Sequence, residues 1–318
     1  MTTDVLARIR TACAQVTAQA TDVHIDHDRL GAYAHTLLRD DEEISEDLGR
    51  QRMGNDESAA AFIVTLDAIN FGSGYFPYLR KRAGLSGYHT VSSALRDHVA
   101  THGPISGRWL RDMDRATCNE IFDQPETDLA RELMDLFAIA LRDLGEFIAA
   151  FDDSFVAFVR STDHCAARAV EQLDRMPFFH DVATHRGLAV PLYKRAQITA
   201  YDLAQAFSGH ELGRFDDLHR LTMFADNLVP HVLRVDGVLQ FSAELVERIE
   251  RVDDIAAGSE PEVEIRAVGL HAVELLQHAV TQQGGSRTSG EIDSVLWNRG
   301  AGPRYKAIPR HRSRSVFY

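Results

Sequence analysis

The chain has 318 residues, 45% of them hydrophobic and 25% charged, enough to bury a sizeable core in one large domain. A formal net charge of −13 excludes a general binder of nucleic acid or anionic membrane, which needs a basic surface. Three scattered cysteines (Cys13, Cys118, Cys165), no apolar run of membrane-spanning length and no secretory core at the start predict a reduced, cytoplasmic setting without a metal cage.

Periodicity predicts an amphipathic helix over residues 2–20, where Val5, Ile9 and Cys13 recur at four-residue steps, then a short extended piece at 23–27 and a helix over 28–38. Residues 40–57 are polar and acidic and read as loop and helix start. The run 58–71 is apolar enough for a buried helix, with Asp67 and Asn70 as polar groups that need partners or face a ligand. Gly72-Ser73-Gly74 is a turn, since no Gly-Lys-Ser/Thr follows to make a phosphate loop. His98 and His102, on a helix expected over 90–101, have the spacing of zinc ligands, but no further ligand completes a site. Helices are expected over 127–151 and 154–173. Alternation of β-branched residues is scarce throughout, so the class is mainly α.

Residues 191–235 concentrate the chemistry. A helix is predicted from Pro191, a favoured first-turn residue, with Leu192, Ala196, Ala200, Leu203 and Phe207 facing the core. Lys194, Gln197, Tyr201 and Gln205 line its other side, a row that reads first as a solvated face. Residues 221–235 are strongly apolar, yet hold Asp226-Asn227. Pro230 cannot continue a helix from upstream, so a break is predicted there, with Asp226 or Asn227 capping a helix that starts near Leu228. A carboxylate at such a helix start is kept anionic, which suits a cap and also suits stabilising a developing sugar cation.

A helix is expected over 243–251. Ser259-Glu260-Pro261-Glu262 has capping-box spacing and opens a helix to about residue 283 that is apolar nearly all round. Its Glu264, Arg266, His271 and Glu274 are expected to be mostly in structural pairs. The tail, residues 299–318, carries Arg299, Arg304, Lys306, Arg310, Arg312 and Arg314 with no acidic residue, and its alternating end, closed by Phe317 and Tyr318, looks packed rather than trailing.

Tyr193-Lys194-Arg195-Ala196-Gln197-Ile198, Thr222-Met223-Phe224-Ala225-Asp226 and Glu262-Val263-Glu264-Ile265-Arg266 resemble the queuosine salvage protein family. Asn70-Phe71, Ser86-Gly87-Tyr88, Gly290-Glu291-Ile292 and His311-Arg312-x-Arg314 before Tyr318 add to the likeness, which spans most of the chain in order. The resemblance implies a mainly α fold related to helix-hairpin-helix DNA glycosylases. Two helical lobes, roughly 1–185 and 186–318, would flank a central cleft within one globular domain. It also implies hydrolysis of queuosine 5′-monophosphate to queuine and ribose 5-phosphate, without metal or organic cofactor. Asp226 matches the family's catalytic aspartate and Lys194 its active-site lysine. Where family members often continue the aspartate motif with Tyr-Arg-Val-Pro-Gln, this chain has Asn227, Leu228, Val229, Pro230 and His231.

An oxocarbenium-like ribose beside anionic Asp226 is the expected course, with Lys194 on the phosphate, the ribose or the base edge. Asn70, Tyr193, Asn227, His231 and Arg266 are candidate polar contacts, and Phe71 or Trp297 could stack on the base. His311, Arg312 and Arg314 close the motif, with Arg312 or Arg314 expected at the 5′-phosphate. The expected partner is a small molecule and not duplex nucleic acid or membrane, and the expected state is a monomer. The alternatives are an N-glycosylase for another modified or damaged nucleotide or base, or a non-catalytic helical module that binds a modified base or tRNA.

Overall fold

The computed structural model describes residues 4–38 and 54–318; most of the acidic stretch 40–57 lies outside the described residues. In chain order the elements are α1 (Val5–Gln19), β1 (Val23–Ile25), α2 (His27–Leu37), α3 (Asp56–Ala68), α4 (Gly87–His102), α5 (Gly107–Arg111), α6 (Arg115–Phe122) and α7 (Asp128–Ala149). There follow α8 (Phe155–Ser161), α9 (Ala166–Leu173), β2 (Val182–His185), β3 (Leu188–Pro191), α10 (Lys194–Ala206) and α11 (Leu228–Val235). The last are β4 (Leu239–Phe241), α12 (Ala243–Glu250), α13 (Glu260–Gln282), α14 (Ser289–Gly300) and α15 (Pro303–Lys306). The fold is mainly α, as the periodicity predicts, with two two-stranded antiparallel sheets, β1 with β4 and β2 with β3.

The chain forms two compact units that interleave in sequence, so no single point near residue 185 divides them. One unit comprises the described part of Met1–Glu46 with Asp181–Gln197 and Asp217–Ser313. Its hub is α13, apolar on nearly every side, against which α1, α2, α11 and α14 pack. Burying each such Val, Ile or Leu side chain stabilises the unit by roughly 1.5–3 kcal/mol. The charged residues within α13 find partners. Glu264 accepts the backbone N–H groups of Thr21, Asp22 and Val23 at 2.7–3.2 Å and lies 3.1 Å from Nε2 of His185. Glu274 pairs with Arg10. The Ser259 capping box does not form: Glu262 reaches instead to the Gly258 N–H at 2.9 Å, and a reciprocal box closes at Thr288 and Glu291, opening α14.

The other unit comprises the described part of Asp47–His180 with Ile198–Asp216 and Arg314–Tyr318. Here α7 is the hub, covered by α3, α5 and α6. The core is aromatic: Phe71 and Phe122 meet Phe137 edge to face, and Phe158 meets Phe147 and Phe151. The helix expected over 154–173 is two helices, because Asp163 and His164 adopt left-handed backbone between α8 and α9. Glu57 caps α8, accepting from the Phe155 and Val156 N–H groups at 2.6 and 3.1 Å. His98 and His102 stack ring on ring, with Trp109 on His98, so the pair with zinc spacing is an aromatic stack. The tail is packed as expected: the Tyr318 carbonyl accepts the Gly72 N–H at 2.9 Å.

Candidate active site

The approach to Lys194 departs from a helix begun at Pro191. Pro191 is the last residue of β3, paired with Val182, and the β2–β3 hairpin turns on Arg186-Gly187, both at positive φ, as a primed two-residue turn requires. The chain then kinks at Tyr193, whose φ of 48° is left-handed and costly for a bulky residue, and α10 starts at Lys194. Asp181 holds this kink. Its carbonyl accepts the Leu192 and Tyr193 N–H groups at 2.9 and 3.3 Å, and its Oδ2 accepts the Lys194 N–H at 3.1 Å. Lys194 is 5% exposed, and Gln197 and Tyr201 are buried too, so only Gln205 of the polar row is an exposed face.

The Asp226 turn is built from the other side. Residues 221–227 are non-helical, as the apolar run broken by Asp-Asn predicts, and α11 begins at Leu228. Gln197 anchors the start of this segment: it accepts the Thr222 N–H at 2.9 Å and donates to the Leu192 carbonyl at 3.0 Å. At the other end Asp226, not Asn227, caps the helix. Its Oδ1 accepts the N–H groups of Leu228 and Val229 at 2.8 and 3.2 Å, which holds charge at the positive end of α11. Two glycines let α11 lie close to its neighbours. A Cβ on Gly269 of α13 would sit 2.9 Å from Cγ of Pro230, and one on Gly300 of α14 would sit 2.8 Å from Cδ1 of Leu228.

A second carboxyl completes the group. Asp293 of α14 is 5% exposed and accepts the Phe224 N–H at 3.0 Å through Oδ1. Burial drives its pKa well above the usual carboxylate range and the Asp226 charge pushes the same way, against the Phe224 N–H and the Lys194 ammonium. The neutral form of Asp293 is thus favoured by its burial and by the charge of Asp226. Arg310 also belongs here: burial lowers its pKa, while the charge of Asp226 supports the cation and that of Arg312 opposes it.

The other expected contacts fall in different settings. Arg266 is 1% exposed, with both terminal nitrogens on Asp181, at 3.0 and 2.6 Å, and Nε on the Ala225 carbonyl at 2.8 Å. His231 donates from Nε2 to the Tyr305 carbonyl at 2.9 Å, and Asn227 donates to the His311 carbonyl at 3.4 Å. Burial lowers the pKa of His231 to about 4 and that of His311 to about 3, so both rings are neutral. Trp297 is half-buried on α14. Arg312 is half-buried and its carbonyl accepts the Ile255 N–H at 2.8 Å. Asn70, Phe71 and Arg314 belong to the second unit, where Phe71 is 1% exposed and edge-on to Phe137 and Phe178, and Arg314 is exposed.

Lys194 and Asp226 belong to the same unit, and the charges of both act on Asp293. Sequence pattern alone does not single out Asp293, Asp181 or Arg310 as members of this group. Asp293 carries a signal even so: it directly follows Gly290-Glu291-Ile292 and is the one ionisable residue between Ile292 and Leu296. Among the described residues no group of three or more His, Cys, Asp or Glu side chains could hold a metal ion, and no helix is long and apolar enough to cross a membrane.

A family model described as queuosine salvage protein matches residues 51–318. A Sphaerobacter thermophilus protein named queuosine 5′-phosphate N-glycosylase/hydrolase is 34% identical over 323 residues, covering 98% of this chain and 97% of that one. Proteins of the same name from Dictyostelium discoideum and Bos taurus are 33% and 28% identical. The first alignment covers 82% of this chain and 79% of the relative, the second 83% of each.

Proposed function

The chain belongs to the queuosine salvage protein family, and on that premise we propose that it hydrolyses the N-glycosidic bond of queuosine 5′-phosphate, releasing queuine and ribose 5-phosphate. One observation supports the assignment of residues: the buried Asp293 carboxyl feels the charges of both Asp226, fixed at the start of α11, and Lys194.

Three groups divide the chemistry between them. As the bond to the base lengthens, positive charge grows on the ribose. Anionic Asp226 stabilises that cation and orients the attacking water. The base of queuosine is a 7-deazapurine, with carbon where a purine has N7, so protonation at that position cannot help it leave. A donor along its remaining polar edge must do so. Asp293 suits this role, because Oδ1 accepts the Phe224 N–H, which leaves Oδ2 to carry and donate a proton. Lys194 supplies positive charge to the ribose or the phosphate. Arg310 with Arg312 is the tail pair we assign to the 5′-phosphate, because Arg310 feels the charges of both Asp226 and Arg312. We further propose a monomer acting in the cytoplasm on a free nucleotide. The net charge of −13 supports a mononucleotide over a duplex.

The experiment is incubation with queuosine 5′-monophosphate and detection of free queuine by mass spectrometry. Asp226→Asn keeps a cap oxygen for α11 yet removes the charge, so the folded variant should lose roughly 100-fold or more in kcat. Wild-type turnover in that variant would refute the role of Asp226.

A further inference from the structure

We propose that the buried pair of Asp181 and Arg266 is a positioning device, which holds the backbones that carry Lys194 and Asp226 in one frame. The proposal rests on the roles assigned to those two residues above. Asp181 lies just before β2 and Arg266 lies on α13, 85 residues apart, and each is nearly inaccessible to solvent. A continuous path of hydrogen bonds runs between the two functional residues through this pair. The Lys194 N–H donates to Oδ2 of Asp181, whose two oxygens take the two terminal nitrogens of Arg266. Nε of Arg266 donates to the Ala225 carbonyl, one peptide before Asp226.

Three features separate this arrangement from a buried ion pair that merely fills space. The first is where its other hydrogen bonds go. Both residues also bond main chain next to a functional residue: the Asp181 carbonyl takes the Leu192 and Tyr193 N–H groups and its Oδ2 that of Lys194, while Nε of Arg266 donates to the Ala225 carbonyl. The second is strain. Tyr193 is held left-handed directly before Lys194, a conformation that persists only where the surroundings enforce it, and Asp181 supplies three hydrogen bonds across that kink. The third is chemistry. Gripping a carboxylate with two nitrogens while a third binds a carbonyl needs the planar guanidinium fork; an ammonium of equal charge cannot do it. Glu262, with Oε1 3.7 Å from Nη1, offers a second carboxylate to the same cation.

Such a frame acts on the rate more than on substrate affinity, since misplacing reacting groups by about 1 Å can cost 100-fold. The test is steady-state hydrolysis of queuosine 5′-monophosphate by the full chain, with kcat and KM measured separately and folding checked by thermal melting. Arg266→Lys preserves the charge and should lower kcat roughly 10- to 100-fold while KM moves less than about threefold. In an Asp226→Asn background the same change should cost clearly less than in the wild type, because one of the two groups that the frame positions no longer acts. If Arg266→Lys does not fold, the charge-neutral double variant Asp181→Asn/Arg266→Gln replaces it, with the same expectations. A folded variant with wild-type kcat, a loss confined to KM, or the full loss repeated in the Asp226→Asn background would overturn the proposal. Wild-type turnover by Asp226→Asn alone would show the separate failure of the underlying reading, and the positioning role would fall with it.

Discussion

The two compact units bury different chemistry. Among the described residues, the unit built on α13 buries Asp181, Lys194, Arg195, Glu262, Glu264, Arg266 and Asp293, together with His185, His231 and His311. The unit built on α7 buries, among its described residues, only Asp67 and Asp202 of that kind, and its core is phenylalanine packed edge to face. An aromatic core is bound by area and shape and gives way gradually when repacked. Buried charges have directional needs, and removing one partner leaves the other desolvated and alone. The α13 unit thus holds its residues to fixed positions at a cost in tolerance, which is what a site for bond cleavage requires.

That contrast can be broken by substitution. Phe137→Ala in the α7 hub should destabilise by about 3–5 kcal/mol, read by urea denaturation, because it opens a cavity at the meeting point of Phe71 and Phe122. Phe137→Leu, which refills most of the space, should cost only about 1–1.5 kcal/mol. If the two variants lost equal stability, the α7 core would be as exacting as the charged one.

The matching change in the α13 unit is smaller in shape and larger in consequence. Glu264→Gln alters almost no volume, yet it removes the charge that serves three backbone N–H groups and His185, and turns an amide toward them. A loss of about 2–3 kcal/mol is expected. It should exceed that of Phe137→Leu, although far more atoms move in the phenylalanine case. The reverse order would erase the distinction between the units.

How much of this the sequence discloses follows the same division. The α7 unit is legible because its signals are local: apolar residues at helical spacing mark α3 and α7. Asp226 is legible too, since a polar pair inside an apolar run, four residues before a proline, can only be a break with a cap. What stays hidden depends on pairing at a distance. Asp181 looks like an ordinary loop residue until Arg266, 85 positions later, meets it. Pro191 resembles a helix start because the β2–β3 strands are only four residues each and Arg186-Gly187 is a weak turn signal beside Asn-Gly. Asp293 lies at a helical position where a solvated carboxylate would be unremarked. Only the packing around it shows that it is buried and that its pKa is raised.

The weakest of these effects concerns the neutral histidines. His231 donates from Nε2 to the Tyr305 carbonyl, and its pKa falls to about 4 chiefly through burial, with the cations Arg234 and Arg310 pushing the same way. Unfolded, the ring has its ordinary value of 6.5. Between these values the unfolded chain binds the extra proton, so stability is full above about pH 6.5 and drains away as the pH falls toward 4. From His231 alone, unfolding free energy should drop by roughly 1–2 kcal/mol between pH 7 and pH 5. His231→Gln keeps a donor for the Tyr305 carbonyl but cannot titrate, so the difference between the two pH values should shrink by that amount. It should not vanish, because His311, lowered to about 3, works in the same direction. An unchanged difference in the variant would mean that the ring takes up its proton in the folded state. The α13 unit would then tolerate a charge where its packing argues for none.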